Sequence, residues 1–195
     1  MNDEQLEKLL QRLSQAFSNS AKATGTNTKN ALLPPASDRE IATFETKNKV
    51  KFPERYRQFL RLHNGWKKFA NDYTLTGVSG PHTEQALKEF RKLDTTFLQQ
   101  WKAAGRSTDQ KFIDDYQSSG SDGQTLDEAK LYLPSLTKFG TNFANGYFAF
   151  NPLRVSKTGE PEVISGYFVT KIPRRHRNLV EFLERTLEGY TVRGY

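Results

Sequence analysis

The sequence predicts an α+β fold in which helices come first, antiparallel strands follow and one helix closes the chain. Three observations predict it. Apolar residues recur at helical spacing through the first half and again near the end. From about residue 130 to residue 172 the pattern changes to alternating or continuous apolar runs divided by turn residues. The 195 residues contain no internal repeat, and 35% hydrophobic and 12% aromatic residues are enough for one packed core.

In MNDEQLEKLLQRLSQAF, the side chains of Leu6, Leu9, Leu10, Leu13 and Phe17 share one helical face. Asp3 is placed to cap that helix, and Glu4 and Glu7 sit in its first turn, where the helix dipole favours acids. The stripe is expected to pack on the chain's own core. SNSAKATGTNTKNALLPPA, small and polar and then doubly proline-bearing, reads as a loop or tether. Ser37, with Glu40 three residues on, forms a capping box for a helix carrying Ile41, Phe44 and Glu45 that ends near Lys49.

Pro53 stands in the first turn of the next helix, where its missing N–H costs nothing. Phe52, Tyr56, Phe59, Leu60 and His63 fall on or near one face. Burying Tyr56, Phe59 and Leu60 contributes ~1.5–3 kcal/mol each before entropy is subtracted. Asn64-Gly65 is expected to stop the helix, since both residues tolerate the left-handed conformation. YTLTGVSG reads as a short strand.

Residues 83 to about 104 return to helical spacing through Leu87, Phe90, Leu93, Phe97 and Trp101, and a second helix is expected over residues 108–117, followed by the loop SSGSDGQ. LYLPSLTKFG, GYFAFNPL and EVISGYFVTKI read as three successive antiparallel strands, with turns at Thr141-Asn142, Asn145-Gly146 and Lys157-Thr158-Gly159. RNLVEFLERTLEG is the final helix, burying Leu179, Val180, Phe182, Leu183 and Leu187 and stopping at Gly189.

Chemistry-bearing patterns are sparse. The absence of cysteine excludes disulfides, thiolate zinc sites and a cysteine nucleophile. His63, His82 and His176 show no metal-ligand spacing, and His63 reads as a helix-end residue favoured by the dipole. No GxSxG elbow, phosphate loop or dinucleotide fingerprint occurs, and Asp114, Asp115, Asp122, Asp127 and Glu128 read as solvated acids. No catalytic residue, metal or cofactor is therefore expected. The first residues lack a basic start followed by an apolar run, and no stretch approaches ~18 consecutive apolar residues, so a cytoplasmic chain with no membrane partner is expected.

The formal charge of +7 and pI of about 9.5 favour acidic partners. Lys47, Lys49, Lys51, Arg55, Arg57, Arg61, Lys67 and Lys68 form one basic cluster, and Lys171, Arg174, Arg175 and Arg177 another. With Tyr56, Trp66, Phe69 and Tyr73 among them they suit a phosphate-and-stacking surface. They equally suit the solvated side of a helix, and no nucleic-acid-binding motif accompanies them, so a basic nucleic-acid-binding or regulatory adaptor domain stands as the alternative reading.

The stretch LLPPASDREIATFETKNKVKFPERYRQFLRLHNGW resembles the opening of the SUKH superfamily, the Smi/Knr-like domains. The matching positions are Ile41, Phe44 and Glu45, then Phe52, Pro53, Tyr56, Phe59 and Leu60, then Asn64, Gly65 and Trp66, with Phe52 standing where leucine or isoleucine is expected. LPSLTKFGTNFANGYFAFNPL, EVISGYFV and LVEFLERTLEG resemble the family's later strands and last helix. The resemblance covers about residues 32–77 and 131–189. It implies one SUKH-like domain over residues 1–195, with an N-terminal helix and loop (1–31), a helical insertion (83–130) and a curved, mainly antiparallel sheet.

The resemblance further implies a non-enzymatic immunity protein, and a monomer is expected in the free state. Such a protein neutralises a cognate bacterial polymorphic toxin, a contact-dependent or secretion-system effector of Rhs or similar type, by occluding its active site. The positive charge departs from what an inhibitor of a basic nuclease would carry and fits an acidic toxin domain, such as an ADP-ribosyl transferase or a deaminase. Partner-binding residues are expected on the concave side of the sheet and its rim: Lys67, Lys68, Asn71 and Tyr73 after the Asn-Gly turn, and Lys138, Asn142, Phe143 and Asn145 between strands, with the inserted helices as a further surface. Trp66 is expected to be a core anchor, packing across the helix end onto the sheet.

Overall fold

A computed structural model describes residues 3–25, 31–70, 72–103, 105, 110–111, 114, 136–144, 146–167 and 174–193. The expected helix over residues 108–117 and the loop after it fall almost entirely outside these residues.

The chain opens with α1 (Asp3–Thr24), α2 (Asp38–Asn48) and α3 (Glu54–Leu62), followed by the hairpin β1 (Trp66–Phe69) and β2 (Tyr73–Leu75). The long helix α4 (Pro81–Ala103) comes next. Strands β3 (Thr137–Thr141), β4 (Gly146–Val155), β5 (Pro161–Tyr167) and β6 (Arg174–His176) lead into α5 (Leu179–Arg193). The six strands form one antiparallel sheet in the order β1-β2-β3-β4-β5-β6, so every strand lies beside its neighbours in sequence. The outer edge of β1 is taken by the segment before α2. Leu32 bridges to Trp66, Lys67 donates its amide to the Ala31 carbonyl at 2.8 Å, and Leu33 donates to the Gly65 carbonyl at 3.2 Å.

One face of the sheet, carrying Phe69, Phe139, Phe148, Phe150 and Val163, packs on α1, α3 and α5. The stripe Leu6, Leu9, Leu10, Leu13 and Phe17 enters this same core, and α1 packs on α5. Asp3, expected as the cap of α1, is its first residue, and α1 continues through the small polar stretch read as a loop, as far as Thr24. Ala21 is buried. Packing against tertiary neighbours outweighs the weak helix propensity of Ser and Asn there. Trp66 is 1% exposed and meets Phe17 and Phe69 edge-on, with ring centroids at 6.0 and 5.2 Å, so the indole joins α1 to the sheet.

The capping box of α2 forms as expected, with the Glu40 amide donating to Ser37 Oγ at 3.3 Å and Glu40 Oε2 accepting from the Ser37 amide at 2.8 Å. The end of α3 differs from expectation. His63 is extended at φ −147°, and only Gly65 has positive φ, at +103°. A Cβ on Gly65 would stand 2.9 Å from the Leu75 carbonyl oxygen and the Gly77 nitrogen, so glycine serves a close backbone crossing as well as the turn. Asn64 is buried and works through its amide: Oδ1 accepts from the Val78 N–H at 2.7 Å and Nδ2 donates to Ser79 Oγ at 2.8 Å. It ties the end of α3 to the entry of α4. His63 gains no stabilised charge from the helix end, because burial pulls its pKa down more strongly than the Leu33 carbonyl and Glu7 raise it.

Two short strands, β1 and β6, were not evident in the sequence. The helix α5 also runs past Gly189 to Arg193. Tyr190 is buried there, edge-on to Phe17 at 6.2 Å, and its hydroxyl accepts the Ala70 amide at 2.8 Å, which holds the last turn in place.

Tyr56 sits at the centre of the core, fully buried, with the rings of Phe52, Phe59, Phe139 and Phe150 at 5.0, 5.4, 5.0 and 5.4 Å. Its hydroxyl donates to the Thr76 carbonyl at 2.6 Å and lies 3.2 Å from the Phe139 carbonyl. Replacing Tyr56 by Phe is expected to cost about 1–3 kcal/mol in urea unfolding, because a buried carbonyl loses its donor while the ring packing stays.

His176 is buried, edge-on to Phe182 and 3.2 Å from Ser165 Oγ. Burial, with Arg185 and Arg174 adding to it and Glu181 opposing, lowers its pKa to about 4. The folded state therefore binds fewer protons than the unfolded state between pH 6.5 and 4, and stability falls as pH drops through that window. The stability difference between the wild type and His176→Leu is expected to shrink by about 2–3 kcal/mol from pH 7 to 4.5, read from denaturation midpoints.

Candidate partner-binding surface

The β1–β2 and β3–β4 turns lie side by side at one end of the sheet, because β2 pairs with β3 in the register Thr74↔Thr141. Lys68, Ala70 and Phe143 adopt φ of 56°, 39° and 57°, a strained conformation for non-glycine residues. In the β3–β4 turn, Asn142 Oδ1 accepts the amides of Ala144 at 3.0 Å and Gly146 at 2.7 Å, while Thr141 Oγ1 accepts that of Phe143 at 3.0 Å. A Cβ on Gly146 would lie 2.2 Å from the Tyr73 hydroxyl, so the two turns interlock through a position only glycine fits. Lys68 is exposed, and Asn142 and Phe143 are half-buried at this rim. Asn71 and Asn145 lie outside the described residues.

Two residues expected at an accessible surface are buried. Tyr73 is 6% exposed, its ring stacked on Phe148 at 4.3 Å. Lys138 lies on the sheet's second face, 8% exposed, with its ammonium paired to Asp94 of α4. Burial pulls the Lys138 ammonium below the usual lysine range, while Asp94 pushes it back up. Lys67 is half-buried and near enough to His82 of α4 to disfavour its charge, after burial.

The second face is covered as well. Leu93 and Trp101 of α4 pack on Tyr147, Ala149 and Ile164, with Leu136 and Leu153 at the margin. Beside this apolar layer Glu162, 2% exposed, pairs with Arg175, 1% exposed, and accepts from Asn151 Nδ2 at 2.8 Å. The partner surface envisaged on the sheet itself is thus occupied in part by the chain's own helix, and Arg175 belongs to the interior instead of a basic patch.

Ion pairs also thin out the basic cluster around α3. Arg57 pairs with Glu45, and Arg61 pairs with Asp38 at 2.7 Å and Glu54 at 2.8 Å. No ion pair among the described residues involves Lys47, Lys49 or Lys51 on the α2 side, or Lys88, Arg91 or Lys92 on α4. Between these two banks lies a cleft of about 150 Å³, walled by Phe44, Val50, Phe52, Leu87 and Phe90, with Arg91, Asp94 and Lys138 along one side. The periodicity of the sequence found the apolar walls, but the convergence of α2 on α4 depends on tertiary packing and leaves no local signal.

Among the described residues no group of three or more His, Asp or Glu is arranged to hold a metal ion, and no helix is long and apolar enough to cross a membrane. Residues 35–185 match the SMI1 / KNR4 family (SUKH-1), well over half of the chain. The chain belongs to this family. A search of curated proteins finds no match.

Asn142→Ala removes the acceptor that fixes the β3–β4 turn. It is expected to cost about 1 kcal/mol and to speed hydrogen exchange at the Ala144 and Gly146 amides while leaving the amides of β5 unchanged.

Proposed function

We propose that this SUKH-1 domain is an immunity protein. It binds a cognate antibacterial toxin domain and holds it inactive by covering its active site, performing no reaction of its own. Family membership over residues 35–185 carries this reading. The hydrogen-bonded β3–β4 turn and its close approach to Tyr73 at one end of the sheet support it, because local backbone order lowers the entropic cost of association. Lys67, Lys68, Asn142 and Phe143 are the contacts assigned to this rim.

Among the buried groups with shifted pKa values, His176 packs beside Phe182 and Lys138 pairs with Asp94, placements that suit structural roles. The toxin's binding face is acidic in this reading, since the net charge of +7 favours such a partner, and Lys47, Lys88, Arg91 and Lys92 form no ion pair among the described residues. The encounter then takes place in the cytoplasm and slows as salt is added.

This reading predicts that a neighbouring reading frame encodes a toxin domain whose expression arrests growth, and that co-expression of this chain restores growth with a stable one-to-one complex on gel filtration. Absence of both rescue and complex rejects the reading.

A further inference from the structure

The cleft between α2 and α4 joins two properties that rarely coincide on a self-sufficient surface. Part of its wall is apolar, built from Phe44, Val50, Phe52, Leu87 and Phe90, and polar side chains of α2, α4 and β3 complete the lining. Its volume of about 150 Å³ is enough for one benzene-sized group. Its banks are cationic. Arg91 lines it directly, Lys88 stands one helical turn earlier on α4, and Lys47 flanks Phe44 and Asn48 on the exposed side of α2. The acids beside lining residues on the two helices are Asp94, engaged by Lys138, Glu45, engaged by Arg57, the half-buried Glu89 and the exposed Glu84. Helical spacing places Leu98, 40% exposed, on the same side of α4 as Leu87, Arg91 and Asp94, so the apolar track continues beyond the cleft.

We propose that this cleft is a docking site for an acidic segment of the protein partner. One leucine- or phenylalanine-sized side chain of that segment seats against Leu87 and Phe90, and its flanking carboxylates meet Arg91, Lys88 and Lys47. The guanidinium of Arg91 suits a bidentate contact with a carboxylate. A nucleic-acid backbone would satisfy the cations but leave the apolar walls without a partner, so the pairing of walls and charge favours protein. The cleft adjoins the start of β3, at the opposite end of that strand from the hairpin tips, and is therefore a separate anchor. The inference rests on the partner-binding reading above and on no particular toxin activity.

Isothermal titration calorimetry of the full chain with a catalytically inactivated toxin domain from the neighbouring reading frame tests it. The double variant Arg91→Glu/Lys47→Glu is expected to bind at least about 30-fold more weakly. Leu87→Phe, which fills the cleft without altering charge, is expected to weaken binding about 10-fold. Unchanged circular dichroism and melting temperature show that each variant is folded. If the wild type binds and both cleft variants bind within about 3-fold of it, while Lys68→Glu/Phe143→Ser abolishes binding, the cleft inference is overturned and the immunity reading stands. Absence of wild-type binding overturns both. If generic duplex DNA binds the wild type, and the charge-reversed variant loses the DNA but keeps the toxin domain, the cations serve nucleic acid and the inference is likewise overturned.

Discussion

The buried hydroxyl of Tyr56 is the interaction on which the rest of the packing depends. A nine-residue helix such as α3 has little stability of its own and must draw its order from tertiary contacts. Tyr56 provides them twice over, with a ring among four other aromatic rings and a hydroxyl between the carbonyls of Thr76 and Phe139, on two neighbouring segments of the sheet. The hydrogen bond fixes depth and rotation where ring contacts alone would leave both loosely defined. With α3 set, Asn64 and Gly65 can bring the chain back across Gly77, and Trp66 can reach Phe17 of α1.

A meander of six antiparallel strands commonly leaves one face to solvent. Here α1, α3 and α5 cover one face and α4 covers part of the other. The margins of the sheet, at the tips of the hairpins and beside the cleft between α4 and α2, stay outside this cover. Lys138 shows the cost of covering the second face. Its ammonium is desolvated, which lowers its pKa, and Asp94, which reaches it from the covering helix, opposes that shift.

Much of this architecture could be read from residue spacing. The 3.6-residue periods of α1 to α5 and the alternation in β3 to β5 are local signals, and so was the capping box at Ser37. What escaped reading was set by distant partners. The strand β6 is spelled Arg-Arg-His, and only its pairing with β5 and the burial of Arg175 against Glu162 reveal it. Four residues of β1, two of them lysines, carry no alternation long enough to recognise. Tyr73 and Lys138 resembled contact residues because a tyrosine and a lysine near turns usually face water. Phe148 and Asp94, 75 and 44 positions away in sequence, decide otherwise. Gly189 was read as a stop because glycine often ends helices, and Tyr190 one residue on keeps α5 intact.

The strip formed by Ala31, Leu32 and Leu33 along the flank of β1 has a consequence for the life of the protein in a crowded cell. An uncovered outermost strand offers a row of free amides and carbonyls on which a second chain can polymerise. Occupying that row with the chain's own backbone at Lys67 and Leu33 removes one template for fibre growth. The strip therefore helps to keep the folded chain dispersed at high concentration.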